Sequence, residues 1–78
     1  MRTITNKNFV KALKENNLGD VILVKDNGYF WITSDNYDYS MSHNLDRARS
    51  IYVNSFNHMT IKEWIDEIKS IIADCERH

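Results

Sequence analysis

Residues 59–75 constrain the fold more than any other part of this 78-residue chain. Thr60-Ile61-Lys62-Glu63 has the form of a capping box, in which Thr60 accepts from the amide of Glu63 and Glu63 reaches back to the amide of Thr60. Met59 and Trp64 fall at the two positions of a hydrophobic staple. Ile61, Trp64, Ile65, Ile68, Ile71, Ile72 and Cys75 then recur at helical spacing, with Lys62, Glu63, Asp66, Glu67 and Lys69 on the opposite side. A helix with so continuous an apolar stripe must bury it against another layer. In a chain of this size there is room for one such core, and about 60% of the unfolded surface can be buried. A single domain over 1–78 is expected.

The rest of the sequence supplies the second layer. Thr5 or Asn6 can cap a first helix, whose apolar side is Phe9, Val10, Leu13 and Ala12 and whose wet side is Lys7, Lys11 and Lys14. Asn16-Asn17-Leu18-Gly19 ends it, with Gly19 suited to the left-handed position after the cap. Val21–Lys25 and Tyr29–Thr33 are β-rich runs flanking Asp26-Asn27-Gly28, a strong hairpin signal because Asn-Gly tolerates positive φ. Ser50–Ser55 alternates, with Ile51 and Val53 on one face and Tyr52 and Asn54 on the other, and reads as a third strand. The polar stretch from Ser34 to Arg49 is long for a structureless connection, and either carries function or hides a short helical turn. The expected fold is α+β: a two-layer α-β-β-β-α domain with a three-stranded antiparallel sheet and both helices on one face.

Strand parity then predicts an unusual surface. If Phe30, Ile32, Ile51 and Val53 face the helices, Tyr29, Trp31, Thr33 and Tyr52 face away. The first strand is apolar at four successive positions, so two of Val21, Ile22, Leu23 and Val24 join them. Monomers seldom leave such a patch uncovered. Three explanations compete: the 34–49 loop with Tyr37, Tyr39, Met41 and Leu45 folds over it as a lid; two copies meet face to face as a homodimer; or the face binds a protein partner, for which Tyr and Trp are favoured anchors. On the third reading Tyr29, Trp31 and Tyr52 are the anchors, and Asp35, Tyr37, Asp38 and Tyr39 the specificity rim.

Other chemistries fit less well. Helix–three strands–helix is the element order of double-stranded-RNA-binding domains, with Lys7, Lys11, Lys14, Arg47 and Arg49 as the available phosphate contacts. Yet 10 Lys+Arg stand against 11 Asp+Glu. Asp26, Asp35, Asp38 and Asp46 span the sheet-side segment without a lysine or arginine among them, the reverse of a phosphate-gripping surface. Mimicry of nucleic acid by those carboxylates would need more of them. Cys75 and His78 have a ligand-like spacing without a second pair, so no metal is expected, and His43 and His58 do not supply one. Both glycines, Gly19 and Gly28, are used by a helix end and a hairpin, which leaves none for a phosphate loop. No nucleophile has a base and an orienting group beside it. The chain reads as non-enzymatic, without a cofactor. No apolar run approaches the ~20 residues of a membrane span. The N-terminus lacks an apolar signal core, and one cysteine suits a reducing compartment, so a cytoplasmic location is expected.

Gly28-Tyr29-Phe30-Trp31, Ser50-Ile51-Tyr52-Val53 and Met59-Thr60-Ile61-Lys62-Glu63-Trp64-Ile65 together resemble a group of small phage- and mobile-element-encoded proteins. That group shows a GYFYF-like strand, an S-x-x-VYV-like strand and an LT-x-x-W helix start. Trp31 stands where it has Tyr or Phe, and Met59 where it has Leu. The motifs are structural, and no catalytic residue is carried over. The resemblance implies a phage-type accessory protein, a class that includes anti-CRISPR and anti-restriction inhibitors acting by blocking a surface. The reading is therefore a non-catalytic protein–protein interaction module that blocks or modulates a host defence protein. A small nucleic-acid-binding domain and a purely structural homodimer are the alternatives.

Overall fold

A computed structural model describes residues 2–76. The elements run β1 (Arg2–Thr3), α1 (Lys7–Glu15), β2 (Ile22–Lys25), β3 (Phe30–Thr33), α2 (Tyr37–Ser42), 3-10 turns at Leu45–Arg47 and Phe56–His58, and α3 (Ile61–Glu76). The sheet is three-stranded and antiparallel in the order β1-β2-β3, so the domain is α+β.

The third strand is not the expected segment. Ser50–Ser55 contributes a single bridge, in which Ile51 and Phe30 exchange both backbone hydrogen bonds at 2.8 Å. The chain then turns away, since Val53 N–H bonds back to Ile51 C=O at 3.2 Å. Arg2–Thr3 takes the place in the sheet instead, pairing with Lys25 and Val24 on the far side of β2. The element order therefore departs from α-β-β-β-α, and the parallel with double-stranded-RNA-binding domains goes with it.

The ends of α1 follow local chemistry. The Asn6 side chain accepts from Phe9 N–H at 3.1 Å. At the other end Leu18 N–H bonds to Leu13 C=O at 2.7 Å and Asn17 N–H to Lys14 C=O at 3.3 Å, a Schellman closure. Asn17, at φ 59°, takes the left-handed position expected of Gly19. The four-residue connection of β2 and β3 is closed by Asp26 N–H to Tyr29 C=O at 2.8 Å, and only Gly28 there has a positive φ, 86°.

At the head of α3 the capping box forms as expected, with Glu63 N–H to Thr60 Oγ1 at 3.2 Å and Thr60 N–H to Glu63 Oε1 at 2.9 Å. Trp64 has no exposed surface and joins three elements. Its ring meets Phe30 of β3 edge-on at 4.9 Å and stacks on Phe56 at 5.6 Å. Its indole N–H donates to Phe56 C=O at 2.8 Å. Phe56 in turn meets Phe9 of α1 edge-on at 5.2 Å. The stripe Ile65, Ile68, Ile71, Ile72 and Cys75 completes one core with Leu13, Leu23 and Ile32.

The 34–49 stretch is ordered as α2 and a 3-10 turn. Asn36 caps α2 by accepting from Tyr39 N–H at 3.1 Å, and Leu45 is buried in the main core. Its far end is tied to α3: His43 Nδ1 lies 3.0 Å from Glu76 Oε1, and Asn44 Nδ2 donates to Cys75 C=O at 3.3 Å. This segment caps the end of α3 rather than covering Tyr52, which is 80% exposed. No helix among the described residues is long and apolar enough to cross a membrane.

Candidate partner-binding face

The register of the hairpin decides what the outer face of the sheet carries. Val24 pairs with Trp31, Ile22 with Thr33, and Thr3 with Val24, so these residues share one face. Phe30, Ile32 and Leu23 point the other way and are buried in the core. The alternation expected for β3 is thus observed, and Ile22 and Val24 are the two outward aliphatics. Val24 is only 5% exposed yet stands outside the core cluster, so its burial comes from its neighbours on the outer face.

Tyr29 continues the row toward the turn. Its hydroxyl donates to Asp26 Oδ2 at 3.2 Å, and Asp26 Oδ1 accepts from Asn27 N–H at 2.8 Å. The Asn27 amide holds the Asp26 carboxyl below its ordinary value, with smaller help from the Tyr29 hydroxyl and the Trp31 indole. The Asp26 charge in turn raises the Tyr29 phenol, with burial, the hydrogen bond and Tyr52 adding to it. Tyr52 leans on Tyr29, ring centroids 5.9 Å apart at 39°. The single bridge at Ile51 sets this contact, because it fixes the backbone of the residue before Tyr52 against the residue after Tyr29.

Tyr29 and Trp31 therefore share the outer side of the hairpin, and the Tyr52 ring rests on Tyr29 to extend the row, although 50–55 is not the strand on which its parity was counted. Asp26 was missed as its organising residue, although its place three residues before Tyr29 across an Asn-Gly turn makes the two cross-strand neighbours. The expected rim divides. Asp35, Tyr37 and Asp38 are exposed at the start of α2, Tyr37 at 73%. Tyr39 turns the other way, packs against the core and sets its ring 4.3 Å from His43. Burial chiefly, then Asp20 and Glu76, raise its phenol above the ordinary value. Tyr39 is a packing residue.

A groove of about 320 Å³ joins the row to α2, with Trp31 and Thr33 on one bank and Ser40, Asp46 and Ala48 on the other. Ser40 brings α2 to this groove, and Tyr37 and Met41 of the same helix are exposed. A second, shallower depression at the hairpin is lined by Arg2, Lys25, Asp26 and Asn27.

The remaining candidates are placed as follows. Lys7, Lys11 and Lys14 are exposed along α1, and Arg47 is exposed beside Asp46. Arg49 is engaged with Glu67 at 2.8 Å. Cys75 is buried in the core, which pushes its thiol up, while His78 lies outside the described residues. Among the described residues no group of three or more His, Cys, Asp or Glu is placed to hold a metal ion. Compared with protein-family models, curated proteins and solved structures, the chain finds no match in any of the three.

Proposed function

We propose that this chain is a non-catalytic interaction module that binds a protein partner through the outer face of its sheet. Tyr29, Trp31 and Tyr52 are the anchors, and Asp35, Tyr37 and Asp38 the rim that selects the partner. The observation that carries this reading is the Tyr52–Tyr29–Trp31 row, which is organised by Asp26 and left out of the core. Large aromatic rings held in place at low entropic cost are what interface hot spots are made of. The exposed carboxylates of Asp35 and Asp38 favour a partner with a basic surface.

The finer identity rests on the sequence resemblance: a phage-type accessory protein acting in the bacterial cytoplasm, where it blocks a host defence protein. The competing reading is a face-to-face homodimer that consumes the same row.

Capture from a bacterial lysate with the wild type and Trp31→Ala in parallel tests the proposal. Trp31→Ala is expected to lose at least about tenfold of the captured partner, since truncating an aromatic hot spot costs about 2 kcal/mol. An equal yield of the same partner from a folded Trp31→Ala protein contradicts it.

A further inference from the structure

The ladder between β3 and the Ile51 segment stops after one pair. Phe30 spends both its backbone groups on Ile51, so alternation turns Trp31 toward β2 and Ile32 back toward the outer edge. The other side of the sheet agrees. Leu23, the partner of Ile32, gives its carbonyl to Ile4 N–H at 2.9 Å, so it faces β1 and leaves Ile32 unbonded on that side. Continuing the ladder would set Arg49 opposite Ile32. Instead the Arg49 side chain is drawn to Glu67, and Ala48 N–H closes the 3-10 turn onto Leu45 C=O at 3.1 Å. The chain parts from β3 there, and the groove of about 320 Å³ opens with Ile32 in its wall. Among the described residues no loop or side chain takes up the two Ile32 backbone groups.

We infer that this gap in the β3 edge is a strand-addition site for a short extended peptide carrying a lysine or arginine. A donor and an acceptor from one residue, side by side on a sheet edge, are complementary to the backbone of an extended chain. The groove is too small for a folded element, which fixes the occupant as a short segment. Trp31, Leu45 and Ala48 offer it apolar contact. Asp46 lines the opposite bank and, among the described residues, makes no ion pair, even with the adjacent Arg47. This charge selects a basic side chain on the peptide. The inference rests on the reading of the chain as an interaction module and adds the mode of binding and the chemistry of the partner.

The test pans a random twelve-residue peptide library displayed on phage against the immobilised protein, then N-methylates the backbone of the best binder one position at a time. Strand addition predicts enrichment of sequences with an apolar residue beside Lys or Arg. Methylating one nitrogen should abolish binding while methylating its two neighbours is tolerated, because only alternate N–H groups face the sheet. Asp46→Lys, at an exposed position, should weaken the peptide about tenfold. The absence of any enriched sequence, or a binder indifferent to methylation at every position, overturns the inference. So does a dimer by light scattering that Asp46→Lys dissociates, which would place a second copy on this edge. Lysate capture by the Tyr52→Ala variant is read separately: its loss alongside failed panning removes strand addition and leaves the module reading standing.

Discussion

The Tyr29 hydroxyl donates to Asp26 Oδ2 at 3.2 Å across the mouth of the β2–β3 hairpin, and the Tyr29 ring in turn supports Tyr52. One carboxylate at a turn thus holds the Tyr29 ring, against which Tyr52 rests. Asp26→Asn removes the charge that raises the Tyr29 phenol. In a tyrosine titration followed by NMR, the Tyr29 midpoint should fall toward the ordinary 10.0 in the variant. An unmoved midpoint would mean that Asp26 does not organise the row.

Acid should destabilise the domain through two particular carboxylates. Asp26 is held low by the Asn27 amide, and Glu63 by the Thr60 amide and hydroxyl. Each has a folded value below its unfolded one, so each contributes stability above the ordinary carboxylate range and loses it as pH falls through the folded value. Urea midpoints measured from pH 7 to pH 3 should therefore drop below about pH 4. Replacing both residues, Asp26→Asn with Glu63→Gln, should flatten that drop. A double variant with the wild-type profile would refute the assignment.

Asn17 holds a left-handed backbone at φ 59° while closing α1. A Cβ without a compensating polar group is disfavoured there, so Asn17→Ala should unfold about 1 kcal/mol more easily than Asn17→Gly. Chemical denaturation of the two variants settles the order.

Phe30 has no exposed surface and meets the fully buried Trp64 edge-on. Phe30→Ala should cost about 3–5 kcal/mol, enough to unfold much of a domain this small, whereas Tyr52→Ala should leave the denaturation midpoint nearly unchanged. Comparable losses from both would mean that the outer row is part of the core.

Where local chemistry decides, the sequence was readable. The Thr60–Glu63 box, the α3 stripe and the hairpin all rest on neighbours a few residues apart, and the parity of β3 follows from Phe30 and Ile32 alone. The third strand was not readable, because Arg2–Thr3 is too short to display alternation. Ile51 and Val53 do display it, but one bridge is all they form before Val53 bonds back to Ile51. α2 hid for a related reason: it is built on the Asn36 cap, with Tyr39 as the residue its short span packs against the core, so no apolar period announces it. Gly19 was the more obvious helix terminator, but Asn17 is one residue past the cap, where the closure needs the left-handed backbone. For the candidate face, Tyr29 and Trp31 were legible from the parity of β3, whereas Tyr52 reaches it through the one bridge at Ile51 and its ring contact with Tyr29. The diversion of Tyr39 to the core and the edge gap at Ile32 depend on how segment 34–49 docks on α3, which no local pattern encodes.

Binding of a protein by the Tyr52–Tyr29–Trp31 row can be tested at one residue. Tyr52 offers the cleanest probe, because at 80% exposure its removal leaves the core intact. The decisive measurement is the affinity of the captured partner for wild type and Tyr52→Ala by isothermal titration calorimetry. Tyr52→Ala should bind about thirtyfold more weakly, matching about 2 kcal/mol for a hot-spot tyrosine. Equal affinities would contradict it.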